Sequence, residues 1–180
     1  MNRWKIKSQN IVFSQRLFKV KKQKILLPNG KEREYSIVER RAISVIFPIS
    51  DKLELYLISQ FRYLFDKTIL EAVAGHVDDG ETPLKAAKRE LKEETGITAL
   101  DWKEILEFET SASVIRSNVH IFLAKGIKIG KPNPEEGEEI ELVKMSIENA
   151  IKKVLSGEIT TAPTIIGILL LDKMFKEGII

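Results

Sequence analysis

Between Thr82 and Gly96 the sequence defines a helix and then crowds one end of it with negative charge. Thr82 offers a side-chain oxygen to the unpaired amides of a first turn, and Pro83 suits the first helical position. Leu84, Ala87 and Leu91 recur at three and four residues and form one apolar stripe. Gly96 follows as a helix-ending glycine. Glu90 and Glu94 are four apart, so they share a face and repel each other. Glu93 and Glu94 occupy the last turn, where the helix dipole disfavours anions. Two readings stand at this level. The carboxylates form a solvated acidic patch, or a divalent cation removes both penalties at once. Hard oxygen ligands with room for water suit Mg²⁺ or Mn²⁺.

The rest of the chain supplies mostly strands. Residues 1–40 read as extended segments. Phe18–Lys22 alternates apolar and polar, Ile25–Leu27 continues the run, Pro28-Asn29-Gly30-Lys31 is a turn, and Tyr35–Arg41 returns. This part is basic and short of apolar mass, so it is expected to lean on the main domain or on a second copy. Ala42–Ile49 is dense enough for a buried central strand. Leu53–Ser59 alternates, and 102–108, 119–125 and 140–145 read as further strands. Helices are expected near 147–155 and 162–175. The predicted organisation is an α/β fold, with a strand-rich segment over 1–40 and a main domain over 41–180.

Composition removes several function classes. The 180 residues make about one domain, able to bury roughly 70% of its unfolded surface. At 43% hydrophobic and 31% charged, the chain is neither disordered nor fibrous. The longest apolar stretch, Ile165–Leu171, is too short to span a membrane. No apolar signal follows Met1–Lys5, so the cytoplasm is the expected compartment. Twenty-nine basic against 26 acidic residues leave a net +3, too mild for a dedicated nucleic-acid binder. With no Cys, thiolate chemistry, disulfides and Cys-type zinc sites are excluded.

The spacing around the helix is specific. Gly75, five residues, Glu81, seven residues, then Arg89-Glu90-Leu91-Lys92-Glu93-Glu94-Thr95-Gly96-Ile97 resembles the complete signature of the Nudix hydrolases. That resemblance implies an α/β/α sandwich with a mixed sheet, preceded here by the N-terminal β segment, and hydrolysis of a nucleoside diphosphate linked to another moiety. Glu90 and Glu94 match the family's principal metal ligands, with Glu93 as a further ligand or base. Arg89 matches the arginine that orients the glutamates, and Glu81 its partner. Gly75 lets the backbone approach the metal, and the Ala74 carbonyl is a candidate ligand. Gly96 completes the motif.

The likeness continues outside the box. Ser59-Gln60-Phe61-Arg62-Tyr63, Glu71-Ala72-Val73-Ala74-Gly75 and Ser156-Gly157-Glu158-Ile159-Thr160 with Thr164 are similar to ADP-ribose pyrophosphatases. This implies Mg²⁺-dependent (or Mn²⁺-dependent) cleavage of ADP-ribose to AMP and ribose 5-phosphate. It also implies substrate contacts from Arg62 and Glu71, and a homodimer built through the N-terminal strands. The acidic segment Glu135, Glu136, Glu138, Glu139 is similar to the family's catalytic loop, with Glu139 the favoured ligand or base. Ala112 stands where that subgroup has proline, which keeps another nucleotide sugar such as GDP-mannose open. A ligand-sensing module without turnover is the non-enzymatic alternative. His76 is expected in a solvated loop. His120, Trp4 and Phe18 are expected to serve structure.

Overall fold

The computed structural model describes residues 3–134 and 137–180. In chain order the elements are β1 (Lys5–Ser14), β2 (Phe18–Leu26), β3 (Glu32–Arg40), β4 (Ile43–Pro48), β5 (Glu54–Arg62), β6 (Lys67–Glu71), β7 (Val73–His76), α1 (Pro83–Thr95), β8 (Ile97–Glu109), β9 (Ile115–Arg116), β10 (Asn118–Ile129), β11 (Ile140–Ser146), α2 (Ile147–Leu155) and α3 (Ala162–Lys176). A single 3₁₀ turn, Tyr63–Phe65, joins β5 to β6. The chain divides into two compact units, Met1–Ala42 with Phe108–Val119, and Ile43–Glu107 with His120–Ile180.

The first unit holds a sheet in the order β1-β2-β3-β9. β1, β2 and β3 run antiparallel, and β9 pairs parallel to β3 with Val38 opposite Ile115. The turn read at Pro28–Lys31 joins β2 to β3. The Leu27 amide donates to the Lys31 carbonyl at 2.8 Å, and the Gly30 amide to that of Leu27 at 3.0 Å. Every residue of β1 is exposed, although the strand carries Ile6, Ile11, Val12 and Phe13. Trp4, just before β1, meets the Tyr35 ring of β3, and Phe13 of β1 meets the Phe18 ring of β2, so the packing expected of Trp4 and Phe18 is made within this unit.

The second unit carries the core. Its sheets run β7-β4-β10-β8 and β11-β5-β6. β4 is the buried central strand its apolar run required. Ile46 packs with Val73, Ala87, Leu91, Ile97 and Phe122 on the α1 side. The next residue, Phe47, must point the other way. It meets α3 so closely that a Cβ at Gly167 would overlap its ring. Helices therefore cover both faces of this sheet, which is an α/β arrangement. Tyr56 and Ile58 of β5 join the same cluster, so α1 is held against both sheets.

Two regions are more regular than their sequence suggested. The stretch after Phe61 folds into β6 and β7, with β6 antiparallel to β5 and β7 to β4. β10 runs on past Lys125, and Gly126 within it takes a positive φ of 63°, which a side chain would resist. Among the described residues no helix is long and apolar enough to cross a membrane.

Candidate active site

The site is built where β7 meets α1. Thr82 caps the helix, its hydroxyl oxygen accepting from the Lys85 amide at 3.3 Å. Ser44 of β4 donates to the Pro83 carbonyl at 2.8 Å and ties the first turn to the sheet. At the other end Gly96 takes a φ of 71° and its amide donates to the Lys92 carbonyl at 2.9 Å. The helix is thus fixed at both ends, and its last two turns hold their glutamates in register with β7. The approach is close. A Cβ at Gly75 would overlap the Glu90 carboxyl group, so only glycine admits Glu90 against this strand.

Arg89 organises the acids. Its Nε donates to Glu81 Oε1 at 3.2 Å and its Nη2 to Glu81 Oε2 at 3.0 Å. Nη1 reaches Glu90 Oε1 at 2.7 Å and Glu93 Oε2 at 3.2 Å. Nη2 also donates to the His76 carbonyl at 3.1 Å, which links the helix to the end of β7. Glu81 in turn accepts from the Asp78 amide at 3.2 Å, bracing the loop. Hydrogen bonds to Arg89 hold Glu81 below the ordinary carboxylate range, and the same bonds raise the Arg89 pKa. One guanidinium is hydrogen-bonded to three carboxylates, with a fourth, Asp78, 3.9 Å away.

That sharing leaves a charge deficit. Burial raises the Glu90 pKa, opposed by Arg89. Burial, then the charges of Glu90 and Glu138, push Glu94 up to about 8. Glu94 is 8% exposed, and its Oε2 is buried without a hydrogen-bond partner. A carboxylate in that state is costly unless something positive reaches it. The donor set is all oxygen and lies beside a backbone cleared by Gly75. These residues fit a hard divalent cation, with Glu90, Glu93 and Glu94 as the groups to hold it.

Arg62, at the end of β5, donates through Nε to Glu71 Oε1 at 2.6 Å. Burial nevertheless raises the Glu71 pKa. The charges of Arg62 and Glu71 both reach Glu94, so this pair belongs to the same electrostatic site. Of the acidic loop, Glu135 and Glu136 lie outside the described residues. Glu138 is the one whose charge acts on Glu90 and Glu94. Glu139 instead lines a groove of about 340 Å³ with Ser59, Phe61 and Thr68, on the opposite face of β5 from Arg62. Sequence spacing gave no signal that separates these two glutamates. Ala74 sits in β7 opposite Val45. Ala112 lies in the first unit, beside a cleft of about 210 Å³ with Ile37, Glu109 and Arg116.

The histidines fall in different settings. His76 ends β7 and is half-buried rather than in a solvated loop, because Arg89 draws its carbonyl towards the helix. His120 lies 2.7 Å from Glu104 across β8 and β10, and the two form with Glu107 a partly exposed cluster.

Residues 38–163 match the model of the NUDIX domain. The chain belongs to the Nudix family. It is 34% identical over 155 residues to the ADP-ribose pyrophosphatase of Bacillus subtilis, covering 85% of this chain and 84% of that protein. It is 33% identical over 138 residues to the GDP-mannose pyrophosphatase of Cronobacter sakazakii, covering 72% and 70%. Among solved structures, that of an ADP compounds hydrolase superposes with a TM-score of 0.86 at 25% identity, covering 98% of this chain and 96% of that one. The α/β Nudix fold expected from the box is the fold found, and the chain is a Nudix hydrolase.

Proposed function

We propose that this Nudix protein is a divalent-metal-dependent pyrophosphohydrolase that cleaves ADP-ribose to AMP and ribose 5-phosphate. The observation that carries the reading is the charge deficit at Glu94, a buried carboxylate with one oxygen unpartnered, beside Glu90 and a single shared Arg89.

Glu90, Glu93 and Glu94 would hold Mg²⁺ or Mn²⁺. Such ions, when bound, neutralise the pyrophosphate, polarise water and stabilise the departing phosphate. The chain's own residues do the rest. Gly75 clears the space in which Glu90 sits. Arg89 keeps Glu90 and Glu93 pointed to one side, braced by Glu81. Arg62, held by Glu71, presents a cation at the end of β5 for a substrate phosphate. In the reaction a water oxygen bonds to one phosphorus, the bridging P–O bond breaks, and the proton goes to a carboxylate. Glu93, Glu138 and Glu139 are the candidates for that base. Glu138 has the electrostatic reach, and Glu139 gains it only if the loop moves.

We also propose a homodimer through the first unit in the cytoplasm. Support comes from β1, a ten-residue strand with no buried residue and several exposed apolar side chains.

GDP-mannose hydrolysis is the second reading, favoured by Ala112 and by the likeness to the Cronobacter enzyme. Kinetics on ADP-ribose, GDP-mannose and the common nucleoside triphosphates with Mg²⁺ separate the two. ADP-ribose is expected to give the highest kcat/KM. A tenfold advantage for GDP-mannose or a triphosphate would overturn the substrate while leaving the chemistry intact. No turnover of any of them with either metal would favour a sensing module.

A further inference from the structure

Among the described residues two side-chain oxygens are buried without a hydrogen-bond partner, Glu94 Oε2 and Gln60 Oε1. Gln60 is 5% exposed, near the end of β5. A buried amide oxygen without a partner is costly, so a Gln here needs a reason. Its surroundings narrow the choice. Across the sheet it pairs with Ile140 of β11 and Ile69 of β6. Along its own face the neighbours are Ile58, fully buried, and Arg62. None of the isoleucines can satisfy the amide.

That face is the one turned to α1, since Tyr56 and Ile58 share a cluster with Ala87 and Leu91. Glu94 continues the buried stripe of α1 by one step, beyond Leu91. Gln60 continues the facing strand by one step, beyond Ile58. Arg62, the next residue on the Gln60 face, is close enough to act on the Glu94 charge. Two polar side chains thus terminate two facing apolar rows, and each is incomplete. An ionised carboxylate only accepts, whereas an amide can donate as well. A half-turn about the terminal bond of Gln60 exchanges its oxygen for its NH₂ at small torsional cost.

We propose that Gln60 is a positioning residue of the metal centre, its side-chain NH₂ donating to Glu94 Oε2 and fixing the carboxylate for metal ligation. The inference rests on the metal-site reading above. Carboxylate ligands are commonly held by such outer partners, whose loss costs roughly 10–100-fold in metal affinity or activity.

The test is Mn²⁺ binding without substrate, followed by electron paramagnetic resonance, together with thermal melting in chelator. Gln60→Met keeps length and removes the donor. It should weaken Mn²⁺ about tenfold and lower the metal-free melting temperature only slightly, because Glu94 Oε2 loses its donor while an apolar side chain fills the place of the amide. Gln60→Glu keeps shape, and should weaken Mn²⁺ at least as much, since it sets a second carboxylate beside Glu94. It also carries the test if Gln60→Met fails to fold. Mn²⁺ affinity within twofold of wild type in either variant overturns the proposal. So does tighter binding by Gln60→Glu, which would put the Gln60 oxygen on the cation side. Glu94→Gln serves as reference. If wild type binds no Mn²⁺, or Glu94→Gln binds as well as wild type, the metal site itself fails. If Glu94→Gln loses the ion and Gln60→Met keeps it, only the role of Gln60 fails.

Discussion

The same side chain behaves in opposite ways in the two units. Glu32, Glu34 and Glu39 lie on the first unit's sheet, and each is held below the ordinary carboxylate range by facing lysines. Lys22 sits 2.8 Å from Glu34, and Lys24 3.2 Å from Glu32. Glu71, Glu90 and Glu94 in the second unit are all raised, with burial the largest cause. The strand register explains the first pattern, because β2 sets Lys21, Lys22 and Lys24 diagonal to Glu39, Glu34 and Glu32 of β3, and Lys7 of β1 reaches Glu32 from the other strand. The second arises from a helix that turns its acids inward with too few cations to match. The first sheet gives each of these glutamates a lysine partner but has an exposed apolar strand. The second unit buries a large apolar core but leaves its inward acids short of positive charge. Each deficit points to a different missing component.

The strongest way to break this contrast is Glu94→Gln. The amide is isosteric and removes the charge that burial and Glu90 penalise. The rate should fall roughly 10²-fold or more, as when a metal clamp is weakened. The metal-free protein should melt no lower than wild type. An active Glu94→Gln enzyme would remove the reason for calling the deficit functional.

The apolar deficit has its own test. Ile11 and Val12 are exposed at the register shift of β1. Changing both to Asp leaves the core of the second unit untouched. It should convert a dimer, measured by light scattering, to monomer while each protomer stays folded. An unaltered dimer would place the interface elsewhere.

Much of this contrast was legible in the sequence. Thr82, Pro83, the Leu84–Ala87–Leu91 stripe and Gly96 mark α1 because caps and periodicity act locally. The box spacing led to the family for the same reason, as its residues lie on one loop and one helix. What the sequence hid depends on pairing between distant segments. The weakly patterned run after Phe61 became β6 and β7 only because β5 and β4 offered partners. Gln60 read as one letter of a motif, and its isolation appears only once Ile69 and Ile140 flank it. Glu138 and Glu139 are adjacent and chemically identical, so only three dimensions separate their surroundings.

A third, smaller effect concerns pH. The Glu94 pKa is raised to about 8 in the folded, metal-free protein. The unfolded chain releases that proton near the ordinary carboxylate value, so between the two pH values the folded state binds more protons. Stability is then fully present at acidic pH and is lost as pH rises towards 8. Glu90 and Glu71 act in the same direction. Each kcal/mol lost would lower the melting temperature of a chain this size by roughly 2–4 °C. Melting in chelator from pH 5 to 9 should show the decline, and Glu94→Gln should flatten it. With Mn²⁺ present the slope should shrink or reverse, because the ion needs the ionised carboxylate. A wild-type melting temperature that climbs with pH in chelator would contradict the burial argument.

The smallest effect belongs to the first unit and marks the floor of the comparison. Lys22 and Glu34 make a short ion pair, but both side chains are about half exposed. Water and salt screen such a pair, and ordering two long side chains offsets much of the attraction. Lys22→Ala and Glu34→Ala, alone and together, should each move the melting temperature by about 1 °C or less. The double variant should equal the sum of the singles at moderate salt. That near-silence has a use, since it shows whether location or charge sets the large effect expected at Glu94. Both sites hold glutamates beside cations at hydrogen-bonding distance. They differ in solvent exposure and in how many acids share one cation. If Lys22–Glu34 coupled strongly, exposure would not be the deciding variable, and the sharing of Arg89 would have to explain the box alone.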